Sequence, residues 1–297
     1  MGALDIGIDL GTTKVIIYQP GKGELLHEPA VISVDTRNGQ VIAVGEEALR
    51  MLGRTPGYIR AEFPMEGGVI SDPVLTETLL KECMRRACES FLVKHRVIIC
   101  VPSMVTEVER RAVIEAVIHA GGRKVYLIEE PIAAALGAGV DITRPNGWML
   151  VDVGGGMLDA AVISLSGVVV SRSARFGGDK LDGEIVKLIA AKYKLLIGKK
   201  MAQQIKHGVG NVFDPSPSRT IQVKGRNLLT AYPQQITVSE SDVYEAIQPF
   251  GEMLVDMVKR VLDQTPPELV SDIYENGILM TGGGSLLKGA AELIEHE

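Results

Sequence analysis

Aromatic side chains are scarce in this chain: five Phe, seven Tyr and one Trp amount to 4% of 297 residues. Apolar residues nevertheless make up 46%, so the core is expected to be large and aliphatic. Basic charge is also short. The formal net charge of -6 argues against a general nucleic-acid binder held by phosphate neutralisation. No apolar run approaches the length of a membrane span. Three cysteines, Cys83, Cys88 and Cys100, form no metal-ligand pair, and an odd count suits a reducing cytosol. Five scattered histidines, His27, His95, His119, His207 and His296, read as surface or locally bonded residues, which argues against a zinc enzyme. The opening "MGALDIGIDLG" enters a strand pattern almost at once and leaves no room for a signal peptide. Ile6 also stands where a myristoylation site wants Ser or Thr.

The length accommodates two domains of ordinary size, and a repeat marks them. "IGIDLGTTKVIIYQ" is an apolar strand, Asp9, a small-residue turn (Gly11, Thr12, Thr13) and a second strand. "WMLVDVGGGMLDAAVISL" has the same plan, with Asp152 before Gly154, Gly155 and Gly156. The two aspartates lie 143 residues apart, about one domain length. In a dinucleotide fold a glycine turn opens a helix whose N-terminus holds phosphate. Here "KVIIYQ" and "AAVISL" are strand-like, so both turns are β-hairpin tips. Backbone N–H groups at such tips cradle phosphate oxygens, because glycine permits close approach. An aspartate beside phosphate calls for a cation, and Mg²⁺ held largely through water fits. Either hairpin alone reads equally as a tight turn with a turn-favouring Asp; their pairing favours the phosphate site.

Two more segments belong with these. "ILMTGGGSLLKGAAELI" follows a strand and is expected to open a helix, its Gly282, Gly283 and Gly284 admitting a base or ribose. In "LIEEPIAAALGAG", Pro131 is placed as the first residue of a helix. Glu130 then stands at the helix start, either to orient a water on a γ-phosphate or to complement the helix dipole.

These four segments in this order resemble the actin and heat-shock-chaperone ATPase superfamily, and the finer texture resembles the MreB family of bacterial actins. "GKGELLHEPAVISV", "VIICVPSMVTEVERRAV" and "TPPELVSDIYENGILMTGGGSLLKG" carry the likeness, which runs over the whole chain. It implies an α/β, actin-like ATPase fold: two duplicated ribonuclease-H-like domains around a nucleotide cleft, each with a small inserted subdomain. Domain I is expected over 1–143 (core 1–32 and 66–143, insert about 33–65). Domain II is expected over 144–297 (core 144–181 and 246–297, insert about 182–245). By the same resemblance Asp9 and Asp152 hold Mg²⁺ through water, and Gly11, Thr12, Thr13 and Lys14 face the phosphates from one side. Gly154 to Gly156 face them from the other. Glu130 positions the attacking water, Gln203 and Lys206 contact ribose and base, and Gly282, Gly283, Gly284 and Ser285 close the adenosine pocket.

The resemblance further implies ATP and ADP as ligands, slow Mg-dependent hydrolysis, and self-assembly into filaments of paired protofilaments. The partners implied are the inner membrane surface and wall-synthesis membrane proteins, with a cytoplasmic, peripherally membrane-associated location and no nucleic acid. From 74 to 92, "VLTETLLKECMRRACESFL" reads as one helix with a broad apolar face. Phe91 and Leu92 at its end, followed by basic residues, match the family's membrane-entering loop.

The chain departs from the family pattern at several points. Thr13 and Lys14 replace Ala-Asn, and Lys14 points either toward phosphate or into solvent. Met157, Leu158 and Asp159 replace Thr-Thr-Glu, so a hydroxyl is missing where the lytic water would be. Gln203 stands for an acidic residue. The sequence stops at "AAELIEHE", before the strand and helix that in relatives return to the first domain. Two alternatives therefore stay open: a nucleotide-dependent scaffold that does not hydrolyse ATP, and a chaperone-type ATPase module, against which no substrate-binding domain follows.

Overall fold

The computed structural model describes residues 5–88 and 95–297, and the chain divides into two compact units, Met1–Asp141 and Ile142–Glu297.

The first unit opens with β1 (Asp5–Leu10), β2 (Lys14–Gln19) and β3 (Gly23–Pro29). A small piece follows: β4 (Ile32–Asp35), β5 (Val41–Val44), α1 (Glu46–Met51), β6 (Ile59–Glu62), β7 (Met65–Glu66) and β8 (Val69–Ile70). Then come α2 (Pro73–Ala87), β9 (Arg96–Val101), α3 (Glu107–His119), β10 (Lys124–Glu129) and α4 (Glu130–Gly137). The main sheet runs β10-β9-β1-β2-β3, with β9 parallel to β1 and β2 antiparallel to it. Alternation in β1 sends Ile6, Ile8 and Leu10 into the core and leaves Asp5 and Asp9 exposed. The core face packs on Leu79, Leu80, Cys83 and Met84 of α2 and Val117 of α3. Both helices start on sequence signals: Asp72 accepts from Leu75 N–H ahead of Pro73, and Thr106 and Glu109 form a capping box.

The second unit repeats the plan with β11 (Trp148–Val153), β12 (Leu158–Ser164) and β13 (Gly167–Ala174). After them come α5 (Gly178–Tyr193), β14 (Leu195–Leu196), α6 (Lys199–Val209), β15 (Thr220–Asn227), β16 (Pro233–Ser239) and α7 (Glu240–Gln264). The last elements are α8 (Pro267–Asn276), β17 (Ile278–Thr281), a 3₁₀ turn (Gly283–Leu286) and α9 (Ala290–His296). Its main sheet is β13-β12-β11-β17 and its small sheet β14-β15-β16. As β9 lies parallel to β1, so β17 lies parallel to β11. Val243, Ile247, Phe250, Leu254, Met257, Val258 and Val261 recur at helical spacing along α7 and are buried. Phe250 stacks on Phe176 at 5.8 Å between centroids.

Three expectations need correction. The helix read over 74–92 ends at Ala87, and the membrane-loop residues Phe91 and Leu92 lie outside the described residues. Gly282 leads not into a helix but into one 3₁₀ turn, with α9 beginning only at Ala290. His95 is buried, at 4% exposure, rather than a surface residue.

Candidate functional site

The two glycine turns close in the same way. Gly11 N–H donates to the Lys14 carbonyl at 3.0 Å and Gly154 N–H to the Met157 carbonyl at 2.9 Å. A Cβ built on either glycine would lie 3.3 Å from that carbonyl oxygen, so both turns want glycine at that corner. Met157 is thus the counterpart of Lys14, and its backbone, not its side chain, shapes the turn.

In the first unit, the parallel register Ile8–Ile99–Leu127 brings the C-terminal ends of β1, β9 and β10 to one edge of the sheet. Gly11 and Glu130 leave that edge at the same level, two strands or roughly 10 Å apart. Glu130 is the first residue of α4, immediately before buried Pro131. Thr12 is buried, and its hydroxyl accepts from Gly68 N–H at 3.0 Å, which ties the turn to the β7–β8 hairpin. Lys14 is exposed, as is Asp9.

The second unit half-buries Asp152 and buries Asp159 beside it. Across the sheet, Ser173, Asp159, Asp152 and Thr281 occupy one cross-strand row. Asp159 is 3% exposed and accepts a hydrogen bond from the Ser173 hydroxyl. Burial raises the Asp152 carboxyl above its ordinary range, offset in part by the Thr281 hydroxyl. Burial also pushes Asp159 up to about 6, with Ser173 pulling down and the neighbouring Asp152 charge pushing up. The chain passes close at Gly282, which has φ 79 and ψ 162; a Cβ there would lie 2.5 Å from the Val153 carbonyl oxygen and would overlap Asp152 Oδ1.

The glycine turn is fastened from behind by α5. Gly178 N–H donates to the Gly154 carbonyl at 3.1 Å and Asp179 N–H to the Gly155 carbonyl at 2.8 Å. Those carbonyls are therefore occupied, whereas no hydrogen bond among the described residues takes up the Gly155 or Gly156 N–H. Lys206 serves the same frame: its ammonium donates to the Gly178 carbonyl at 2.8 Å and pairs with buried Asp182 at 2.9 Å. Burial still holds Asp182 above its usual range, although Lys206 opposes the shift. Gln203, one turn earlier on α6, is exposed. The Ser285 hydroxyl donates back to the Gly282 carbonyl at 2.6 Å and braces the 3₁₀ turn.

Sequence reading named Asp159 only as a departure from the family pattern, with no role at the site, and missed Asp182. The first was accessible, because a hairpin closing at Gly154–Met157 must oppose Asp152 to Asp159. A raised carboxyl stabilises the fold in its protonated form. That contribution is full below the unfolded value near pH 4 and is lost as pH rises through about 6. Nucleotide-free protein should therefore lose on the order of 2–3 kcal/mol between pH 4 and 7 relative to Asp159→Asn, read by urea denaturation of both. Parallel curves would dismiss the shift.

The duplicated meander-and-glycine-turn plan defines the actin-like ATPase fold. In sequence, residues 3–297 match the MreB/Mbl protein family, and the chain belongs to that family. It is 46% identical to the cell shape-determining protein Mbl of Bacillus cereus, over 100% of this chain and 90% of that one. Its structure superposes on MreB5 of Spiroplasma citri bound to AMPPNP with a TM-score of 0.90 and 34% identity, covering 97% of this chain and 87% of that one. The fold also matches MamK in a double helical filament, with a TM-score of 0.83 and 19% identity over 99% and 90% of the two chains.

Proposed function

We propose that this chain binds Mg-ATP and polymerises, as a cell-shape scaffold on the inner membrane face. The observation that carries the reading is the pair of identically closed glycine turns, one of them set against a half-buried aspartate. The Gly155 and Gly156 N–H groups suit phosphate oxygens, and the close approach at Gly282 suits a nucleotide lying against backbone. Gly11, Thr13 and Lys14 are the phosphate-facing residues of the first unit, and in the second Gln203 and the Gly282–Ser285 turn face the nucleoside. Thr12 joins the residues of the first unit, since its O–H can still donate to phosphate while its oxygen accepts from Gly68 N–H, and Lys206 acts by holding its segment in place.

The donor set fits Mg²⁺. Asp9 in the first unit and Asp152 in the second each offer hard carboxylate oxygens, which suit a Mg²⁺ ion that keeps most of its water. Such a cation, when bound, neutralises phosphate charge. Glu130, the first residue of α4, orients water. The S. citri relative binds AMPPNP and MamK forms a double helical filament, both in keeping with this reading. Phe91 and Leu92 are assigned to the bilayer surface, and wall-synthesis membrane proteins are the expected partners. Among the described residues no helix is long and apolar enough to cross a membrane.

Phosphate release under polymerising conditions tests the hydrolytic part. Glu130→Ala should lower it roughly a hundredfold, the worth of a positioned proton acceptor. A wild type that polymerises with ATP but releases no phosphate would favour the non-hydrolysing scaffold, a reading that Met157 in place of a hydroxyl supports.

A further inference from the structure

Glu240 begins α7 and is fully buried. Helix capping does not require it there, because Ser239 and Asp242 already form the capping box. A carboxylate taken out of water needs partners of its own, and Glu240 draws them from separate stretches of chain. Ser216 N–H donates to its Oε2 at 2.6 Å, the Lys288 ammonium donates to Oε1 at 3.0 Å, and the Arg219 guanidinium reaches Oε1 at 3.4 Å. Burial alone would raise the Glu240 carboxyl, but Ser216 N–H, Lys288 and Asn211 outweigh it and hold the group below its ordinary range.

Two of these partners flank the nucleoside-facing segments. Ser216 lies in the stretch that leaves α6, the helix of Gln203, and Lys288 lies just beyond the Gly282–Ser285 turn. The two stretches already run side by side. Asn211 and Lys288 form a parallel bridge, and Val212 N–H donates to the Lys288 carbonyl at 3.0 Å. Gly289 has φ 83, and a Cβ on it would lie 2.6 Å from Asn211 Oδ1, so backbone meets side chain there with no room to spare. Asn211 is itself fixed, accepting from Phe213 N–H at 3.0 Å and donating to the Asp214 carbonyl at 2.7 Å. Backbone bonds align the two stretches, and the Glu240 carboxylate is the ionic link across them.

We infer that Glu240, through Ser216 and Lys288, is a positioning residue for the nucleoside: it holds the Gly282–Ser285 turn against the α6 segment at the width a base and ribose require. This rests on the nucleotide-binding reading and divides the labour within it. The glycine turn at Gly154–Met157, fastened by α5, serves the phosphates, whereas the Glu240 link serves the nucleoside. A site whose walls are fixed in advance spends less of its binding free energy on ordering them.

Lys288→Ala removes the link at a half-exposed position, so this variant keeps the question answerable even if the buried one misfolds. Glu240→Gln removes the charge while keeping an acceptor for Ser216 N–H. Thermal melts establish that each is folded, and calorimetric titration then uses Mg-ATP, Mg-ADP and Mg-tripolyphosphate, the last without a nucleoside. Each variant should bind ATP and ADP roughly tenfold more weakly, near the worth of one charged hydrogen bond, and bind tripolyphosphate as the wild type does. The double variant should be no weaker than either single one, because the same link is lost in all three. Lys288→Arg, which keeps the cation, should bind ATP like the wild type. Unchanged ATP affinity in the folded variants would overturn the positioning role and leave the nucleotide site standing. Equal losses for ATP and tripolyphosphate would make Glu240 a general support of the fold and overturn the role as well. A wild type that binds no Mg-ATP would overturn the nucleotide reading and this inference together.

Discussion

Asp152→Ala is expected to weaken Mg-ATP binding at least a hundredfold, or about 2.7 kcal/mol, while leaving the second unit folded. Loss of affinity and loss of fold separate cleanly here. Asp152 stands in a row with Asp159, and burial raises both carboxyls. Removing one of two neighbouring like charges relieves repulsion and desolvation, so the thermal midpoint should hold or rise. On the function proposed above, the variant loses an anionic anchor for a hydrated cation, and charge-assisted hydrogen bonds to such an anchor are worth about 1.5–3 kcal/mol each. Calorimetric titration with Mg-ATP beside a melting curve reads both quantities. A folded variant with unchanged affinity would reduce Asp152 to a turn residue.

Gly282→Ala should damage fold and site together. At φ 79 and ψ 162 the backbone occupies a region reserved for glycine, and forcing a side chain there costs of order 1–3 kcal/mol. The new Cβ would also meet the Val153 carbonyl oxygen at 2.5 Å and the Asp152 carboxylate. Relief requires Asp152 to turn away or the β11–β17 pairing to slip. The expected result is about 3 kcal/mol of lost stability, with nucleotide affinity falling below detection. Gly283→Ala is the control for stability alone, because a Cβ at that position would meet nothing within 4 Å and its φ is not positive. An equal loss of stability in the two variants would refute the close approach as the cause.

Local chemistry made much of this legible in the sequence. The hairpin duplication could be seen because alternation and glycine placement are short-range signals, and Pro131 announced α4 for the same reason. The actin-like fold followed from the order of those pieces. Long-range assignments were harder. Lys206 reads as a nucleotide contact until its ammonium is found on Asp182, 24 residues earlier on another helix. Thr12 likewise has a partner that the local sequence does not announce, its hydroxyl oxygen accepting from Gly68 N–H, 56 residues away. Such pairings are set by how helices and hairpins pack, which no local window contains. Gly282 misled in a different way: a glycine run after a strand announces a turn, but helix and 3₁₀ continuation share that signal.

The hydrogen bonds from the start of α5 to the Gly154 and Gly155 carbonyls make that helix a lever. Its short arm rests on the glycine turn, and its far end, 16 residues or about 24 Å away, holds the β15–β16 tip through Lys194. A tilt of about 5° at the turn would carry the tip roughly 2 Å over that length, more than the gap that separates packed from unpacked side chains. A change of a few degrees around the glycine turn would therefore be magnified, by leverage alone, into a displacement at the far end large enough to repack side chains.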